Sequence, residues 1–277
     1  MADSLAGKTF FISGASRGIG LAIALRAARD GANVALIAKT AEPHPKLEGT
    51  VHTAAAAIEE AGGQALAIVG DIRQDEQVFG AVEQAVERFG GIDIAINNAS
   101  AISVAGTAAL ELKRYDLMQD INTRGTFLVS KACIPQLEQA ENPHVLTLSP
   151  PISLDPKWAK NHVGYTIAKY GMSLCTLGMA EEYRDAGIAF NSLWPRTLIA
   201  TAAVQNLLGG DTAMERSRKP ELVADAAYAI FNRSSRACTG NFFLCEDVLE
   251  EEGITDLSDY RYGDSDAELV TDLFVED

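Results

Sequence analysis

The sequence predicts an α/β fold, a doubly wound parallel sheet of about seven strands with helices on both faces. Short apolar runs alternate with longer segments of helical periodicity, which is the pattern of repeated strand–helix–strand units. Several runs, such as residues 34–38, are apolar at consecutive positions, as expected for strands that helices cover on both sides. Glycines follow four of the helical segments, where a left-handed helix end favours this residue: Gly31, Gly62, Gly90 and Gly187.

The apolar runs place seven strands at residues 9–13, 33–38, 65–69, 92–97, 145–149, 188–194 and 241–245. The helical segments between them are residues 19–30, 51–61, 75–89, 112–139, 163–186 and 221–232. We find no internal repeat and no low-complexity linker. A chain of 277 residues can bury one large core, so we expect a single domain over residues 1–277.

The formal charge of −15 is concentrated at one end of the chain. Residues 246–277 hold 13 acidic residues against the single Arg261, so we expect an acidic tail from about residue 246. A basic groove for nucleic acid is absent, and no apolar stretch approaches the roughly 20 residues that span a bilayer. The first residues lack a secretory signal, and we expect a cytoplasmic location. Five side chains suit the tail for docking on its own body or on a neighbouring subunit: Tyr260, Tyr262, Leu269, Leu273 and Phe274.

The cysteines and histidines do not form a metal site in this sequence. The four cysteines show no CxxC spacing, and the four histidines are scattered along the chain. We therefore predict free, buried thiols and no bound metal.

A glycine-rich turn follows the first predicted strand and opens the first helix. It reads Gly14-Ala15-Ser16-Arg17-Gly18-Ile19-Gly20. Glycines allow a tight turn and a close approach of the backbone to a pyrophosphate, whose charge faces the N–H groups of the helix N-terminus. The turn therefore predicts a dinucleotide site, although a tight connection between strand and helix alone can also select glycines.

The end of the second strand indicates which dinucleotide binds. A carboxylate there pairs with the ribose 2′-hydroxyl of NAD(H), whereas a cation accommodates the 2′-phosphate of NADP(H). This strand ends in Lys39 without a carboxylate, and Arg17 of the turn provides a second cation. We predict NADP(H) in preference to NAD(H). The alternative is that Lys39 is only a solvated charge.

Tyr165 and Lys169 are separated by four residues in a predicted helix, so their side chains share one face. A free phenol has a pKa of about 10, too high for efficient proton exchange at neutral pH. A nearby ammonium favours the phenolate, so we expect Lys169 to lower the pKa of Tyr165. The phenol then protonates a carbonyl oxygen or deprotonates an alcohol. The alternative is an ordinary surface pair at helical spacing.

The glycine turn and the Tyr165–Lys169 pair, in this order, resemble the short-chain dehydrogenase/reductase family over almost the whole chain. The resemblance implies a Rossmann-type sheet and a homodimer or homotetramer packed through the helices at 112–139 and 163–186. It implies that Asp71 and Asn98 hold the adenosine half, that Asn122 supports a proton relay, and that Lys169 anchors the nicotinamide ribose. Pro195 matches the family's motif after the sixth strand. Several stretches are closest to one subgroup, whose larger members add a sterol-carrier domain that we do not expect here.

The chain departs from the family pattern at the usual catalytic serine, which Pro150 replaces. Ser149 lies 16 residues before Tyr165 and Ser153 lies 12 before it. We take Ser149 as the candidate and Ser153 as the alternative. The sixth strand is followed by Pro195-Arg196, where Arg196 either contacts a phosphate or an anionic substrate, or faces solvent.

These observations predict an NADP(H)-dependent oxidoreductase that interconverts a carbonyl and a secondary alcohol. The substrate is a small molecule of apolar character, steroid-like or fatty acyl. Six apolar residues either line the substrate pocket or are simply part of the core: Trp158, Leu154, Trp194, Leu198, Leu207 and Leu208. The alternative, suggested by Pro150, is a nucleotide-binding sensor or scaffold with little turnover.

Overall fold

The computed structural model describes residues 4–43, 48–263 and 267–276. Residues 44–47 of the loop after the second strand, with His44, and residues 264–266 and 277 of the acidic tail lie outside the described residues.

A seven-stranded parallel sheet forms the centre of the protein, in the order β3-β2-β1-β4-β5-β6-β7. Its strands are β1 (Thr9–Ser13), β2 (Asn33–Ala38), β3 (Gln64–Val69), β4 (Ile94–Asn97), β5 (His144–Thr147), β6 (Ala189–Trp194) and β7 (Phe242–Leu244). Every residue of β1, β4, β5 and β6 is buried, because helices cover both faces. The strand order reverses between β1 and β4, which opens a crevice at their carboxyl ends.

Helices pack on both faces of the sheet. They are α1 (Gly18–Ala28), α2 (Val51–Glu60), α3 (Asp75–Phe89), α4 (Leu112–Met118), α5 (Gly125–Leu137), α6 (Val163–Glu182), α7 (Gly210–Glu215), α8 (Glu221–Asn232) and α9 (Cys245–Glu251). The apolar faces of α1, α2, α8 and α9 share one core, and those of α3, α5 and the end of α6 share the other. The predicted doubly wound fold is confirmed.

The helix predicted over residues 112–139 is interrupted by one π-helical turn, Gln119–Arg124, between α4 and α5. Extra residues in such a turn redirect side chains and often mark functional sites. Asn122 lies in this turn and is fully buried.

The acidic segment begins as a packed helix. Cys245, Val248 and Leu249 of α9 are buried in the same core as α8. Within the described residues all four cysteines are free, and Cys133, Cys238 and Cys245 are buried. In that part of the chain no helix is long and apolar enough to cross a membrane.

Candidate active site

An open groove of about 900 Å³ runs along the carboxyl ends of the strands at the crevice. Its lining contains eight of the predicted cofactor residues: Gly14, Ser16, Arg17, Gly18, Ile19, Lys39, Asp71 and Asn98. The segment after β6 forms another wall through residues 201–203, 206 and 207. Gly20 and Pro195 are outside the lining; Gly20 packs under the turn, and Pro195 is buried after β6.

The glycine turn is shaped by its contacts with the loop after β4. Gly14 has φ +74°, and a Cβ there would stand 2.8 Å from the backbone Cα of Ala99. The Asn98 side-chain amide donates to the carbonyl oxygens of Ser13 and Gly14 at 3.0 and 2.9 Å. A Cβ on Gly20 would approach that same amide nitrogen to 2.5 Å. Asn98 therefore locks the turn.

Ser13, which the sequence analysis did not single out, completes this lock. Its hydroxyl accepts from the backbone N–H groups of Asn98 and Ala99, both at 3.2 Å, and donates to the Ile96 carbonyl. A small hydroxyl residue at the end of a buried strand, just before a glycine turn, is the signal that could have identified it.

The residues present fit a dinucleotide. The 11-residue helix α1 begins at the turn without an acidic residue in its first turn, so its N–H groups suit a pyrophosphate. The groove has the size of a small-molecule or cofactor site, and the glycines keep side chains out of its floor. NADP(H) or NAD(H) would be held by Gly14, Gly18, Lys39 and Asp71.

Charged side chains gather where Arg17, Lys39 and Asp71 line the groove, the end at which the adenosine of a dinucleotide would lie. Asp71 is bound through both oxygens by Arg73, at 2.6 Å for the shortest contact, and Lys39 stands 3.8 Å from it. The hydrogen bonds from Arg73 lower the pKa of Asp71. Arg17 is fixed by the carbonyl oxygens of Glu48 and Gly49, at 2.7 and 2.6 Å. Two cations, Arg73 and Lys39, thus flank the Asp71 carboxylate, and Arg17 lines the same groove.

Asn122 positions the loop after β4. Its amide oxygen accepts from the backbone N–H of Ala101 at 2.7 Å, and its amide nitrogen donates to the Ala101 carbonyl at 3.0 Å. The π-helical turn directs this side chain across to the loop.

Tyr165 and Lys169 lie on one face of α6 and are both buried, at 5% and 3% exposure. The Lys169 ammonium donates to the Leu148 carbonyl at 2.8 Å and stands 4.9 Å from the Trp194 ring centroid. The Tyr165 hydroxyl has no hydrogen-bond partner within residues 4–43, 48–263 and 267–276.

The expected lowering of the Tyr165 pKa is wrong for this structure. Burial raises the pKa of the Tyr165 phenol, and the negative charge of Asp272 raises it further. Burial also lowers the pKa of Lys169 to about 7, so the lysine loses much of the charge that was expected to act on its neighbour. The loss of hydration on burial outweighs the attraction between a phenolate and an ammonium here, because protein atoms cover both side chains.

The cover over Tyr165 is the end of the acidic tail, residues 270–276, which we call the closing segment. Asp272 N–H donates to the Arg196 carbonyl at 2.8 Å, and Trp194 Nε1 donates to the Leu273 carbonyl at 2.9 Å. The Phe274 ring lies 6.0 Å from the Tyr165 ring. Tyr165 and Lys169 consequently do not line the groove.

The two candidate serines are engaged away from this cover. The Ser149 hydroxyl is fully buried and hydrogen-bonded to the Ser192 hydroxyl at 2.9 Å, which donates to Thr176. The Ser153 hydroxyl accepts from the Asp155 N–H at 3.2 Å. Pro150 supplies only its carbonyl, which accepts from Ser173 at 2.7 Å.

Arg196 binds the acidic residues of α9, and not a phosphate, a substrate or solvent alone as the sequence suggested. Its guanidinium binds both carboxylate oxygens of Asp247, at 2.7 and 2.8 Å. The backbone N–H of Arg196 donates to the Glu246 carboxylate. Part of the acidic segment therefore holds the backbone after β6 in place.

A second, apolar cavity of about 470 Å³ lies against α6, and Ser153 lines it. Leu154, a candidate wall residue for the substrate, lines this second cavity and is 94% exposed. Of the other candidates, Leu207 lines the groove, Leu198 and Leu208 pack with Val270, and the two tryptophans pack against Phe274.

The comparisons with known proteins identify the family. The family model for short chain dehydrogenases matches residues 8–209. Hydroxysteroid dehydrogenase-like protein 2 of Danio rerio is 57% identical over 98% of this chain and 65% of its own length, and the Homo sapiens protein of that name is 55% identical over 92% and 60%. The chain thus spans less than two thirds of these curated relatives, which represent the subgroup that its motifs resemble.

Solved structures agree over nearly the full chain. A putative dehydrogenase from Xanthomonas campestris has a TM-score of 0.96 and 55% identity, covering 99% of this chain and 100% of its own. A short chain dehydrogenase from Mycobacterium thermoresistibile has a TM-score of 0.93 and 64% identity, covering 99% and 96%. The chain belongs to the short-chain dehydrogenase/reductase family.

Proposed function

We propose that the protein is an NADP(H)-dependent oxidoreductase that interconverts a carbonyl and a secondary alcohol. The observation that carries this proposal is an open groove that fits a dinucleotide beside a tyrosine and a lysine one helical turn apart. Tyr165 packs in one cluster with Met118, which lines the groove. The relatives named as dehydrogenases support the same class of reaction.

In reduction, the hydride for the carbonyl carbon would come from a reduced nicotinamide held in the groove. Tyr165 donates its hydroxyl proton to the carbonyl oxygen, which gives the alcohol and the oxidised cofactor. The Tyr165 phenol is protonated at neutral pH, so it is available as the acid, but the pKa that burial raises has to fall toward neutrality for efficient transfer. Lys169 stabilises the phenolate that remains and would hold the nicotinamide ribose, while Asn122 fixes the loop beside the relay. In oxidation the phenolate accepts the proton.

The preference for NADP(H) rests on the cations at the adenosine end. Asp71, which alone would repel a 2′-phosphate, is neutralised by Arg73 and faces Lys39. Lys39 is half exposed and free to turn toward an added phosphate. Direct titration should therefore give a dissociation constant for NADPH at least tenfold below that for NADH; the reverse order would remove the preference.

Turnover decides between the enzyme and the alternative of a sensor or scaffold. A panel of ketones and aldehydes with NADPH, followed by loss of NADPH fluorescence, should show saturable consumption with at least one carbonyl. Saturable NADPH binding without consumption of any of them would instead support the sensor. Pro150 at the usual serine position is the observation that favours this alternative.

We also propose a homodimer or homotetramer formed through the helices that include α5 and α6. Apolar side chains on this surface are exposed, among them Phe127 at 51%, Leu174 at 58% and Leu177 at 49%. A second copy would bury them. A monomeric mass at micromolar concentration would contradict this assignment.

The four free thiols favour the cytoplasm or another reducing compartment.

A further inference from the structure

Phe274 occupies a cage of aromatic rings directly over Tyr165. Its ring centroid lies 5.3 Å from Tyr170, 5.9 Å from His162 and 6.0 Å from Tyr165, and it stands 6.3 Å from each of Trp158 and Trp194. The Phe274 side chain is 3% exposed. A cage of this kind accommodates one flat apolar ring.

The backbone of Phe274 is strained. Its φ of +73° falls in the left-handed region, where a bulky side chain is an outlier. Such strain persists only when the surroundings hold it in place, and it gathers at ligand sites and switch regions. The contacts of the ring in the cage are what hold it here.

The closing segment joins the two loops that flank Tyr165. On one side its backbone bonds to the strand-like stretch after β6, through Leu198 N–H to the Val270 carbonyl at 2.9 Å and Asp272 N–H to the Arg196 carbonyl at 2.8 Å. On the other side Glu276 pairs with Lys157 at 2.6 Å, in the loop after β5. Both partners of this ion pair are about half exposed or more, so it resists opening weakly.

We propose that the closing segment is a displaceable strap and that Phe274 occupies the place of the substrate ring. This inference rests on the proposed function and narrows its substrate class. The substrate is a carbonyl carried on a flat apolar ring, which enters the cage when Phe274 leaves it and so brings the carbonyl oxygen to the Tyr165 hydroxyl. Residues 270–272 stay bonded to the stretch after β6 while the Phe274 end swings out.

Chemical labelling tests the cover without requiring turnover. Tetranitromethane nitration, quantified by peptide mass spectrometry, should modify Tyr165 at least fivefold faster in Phe274→Ala than in the original protein. Tyr183, far from the segment, is the internal reference and should react equally in both. Phe79→Ala, which removes an exposed ring on α3, is the matched control and should leave Tyr165 protected. Equal nitration of Tyr165 in all three proteins would overturn the strap.

Acrylamide quenching provides a second readout, because both tryptophans of the chain contact Phe274. Phe274→Ala should increase the quenching constant at least twofold, and Phe274→Leu, which keeps an apolar filler, should fall between the two. A quenching constant that changes in neither variant, while the thermal melt is also unchanged, would contradict the placement of Phe274 over the two tryptophans.

The substrate class is tested with acetophenone and 2-octanone, which have equal numbers of carbon atoms. Acetophenone should slow Tyr165 nitration in Phe274→Ala at least threefold, whereas 2-octanone should not. With NADPH, kcat/KM for acetophenone should rise at least fivefold from the original protein to Phe274→Ala. Protection by 2-octanone alone, or protection by neither ketone, would overturn the ring assignment. Protection by acetophenone without NADPH consumption would retain the cage and remove the proposed reaction instead.

Discussion

Replacement of Gly14 by alanine tests whether the turn is built as closely against the loop after β4 as the structure shows. An L-residue at φ +74° costs about 1–2 kcal/mol. The new Cβ would stand 2.8 Å from the Ala99 Cα, a backbone atom that cannot rotate away, and overpacking of this kind adds about 1–3 kcal/mol. Gly14→Ala should therefore lower the free energy of unfolding by about 3 kcal/mol.

Gly31 is the matched control for this substitution. Its φ is +88°, but nothing lies within 4 Å of an added Cβ. Gly31→Ala should cost only the backbone strain, about 1–2 kcal/mol. Urea unfolding followed by circular dichroism measures both losses, and titration with NADPH should show weaker binding only for Gly14→Ala. Equal losses in the two variants, with unchanged NADPH affinity in both, would refute the close contact.

Three further predictions concern buried or charged side chains. Burial lowers the pKa of His144 from 6.5 to about 4, so the unfolded chain binds the proton more readily between these values. The contribution of His144 to stability should fall by about 3 kcal/mol from pH 7 to pH 4; urea titrations measure it as the difference in pH dependence between the original protein and His144→Gln, and equal pH dependence in the two would contradict it. Ser149→Ala leaves the Ser192 hydroxyl short of a partner and should cost about 1–2 kcal/mol in a melt. Because the Ser149 hydroxyl is buried and already bonded, kcat should stay within about twofold; a kcat loss above about tenfold would instead support the catalytic role that the sequence predicts for Ser149. Lys39→Glu should raise the dissociation constant of NADPH at least tenfold in fluorescence titrations and leave that of NADH within about twofold. Equal effects on both dissociation constants would exclude a contact of Lys39 with the 2′-phosphate.

The strands and most helices could be predicted because their signals are local. The bounds of β1, β2, α3 and α8 match the apolar and helical patterns to the residue. The glycine turn and Lys39 reach one groove because the carboxyl ends of parallel strands share an edge. The π-helical turn at Asn122 was not predicted, because one extra residue in a helix leaves the apolar periodicity almost unchanged.

The covering of Tyr165 could not be predicted from the sequence. Docking of the tail on the protein's own body was one of the expected alternatives, but its position over Tyr165 was not, because Phe274 lies more than a hundred residues from Tyr165. The raised pKa of Tyr165 could not be predicted for the same reason, because the local spacing predicts the lysine neighbour but not the burial of the phenol. For Ser149, the hydroxyl partner Ser192 belongs to the adjacent strand β6, which is a tertiary contact. The catalytic roles of these residues stay predictions.

Single-turnover oxidation of bound NADPH by a carbonyl that the protein reduces, compared between the original chain and Tyr165→Phe, tests the proposed proton transfer most directly. The phenyl ring keeps the packing against Phe274 and loses only the acid, so the dissociation constant of NADPH should stay within about twofold. The rate should fall by about 10²–10⁴-fold, the usual contribution of a general acid. An unchanged rate in Tyr165→Phe would contradict the assignment of Tyr165 as the proton donor.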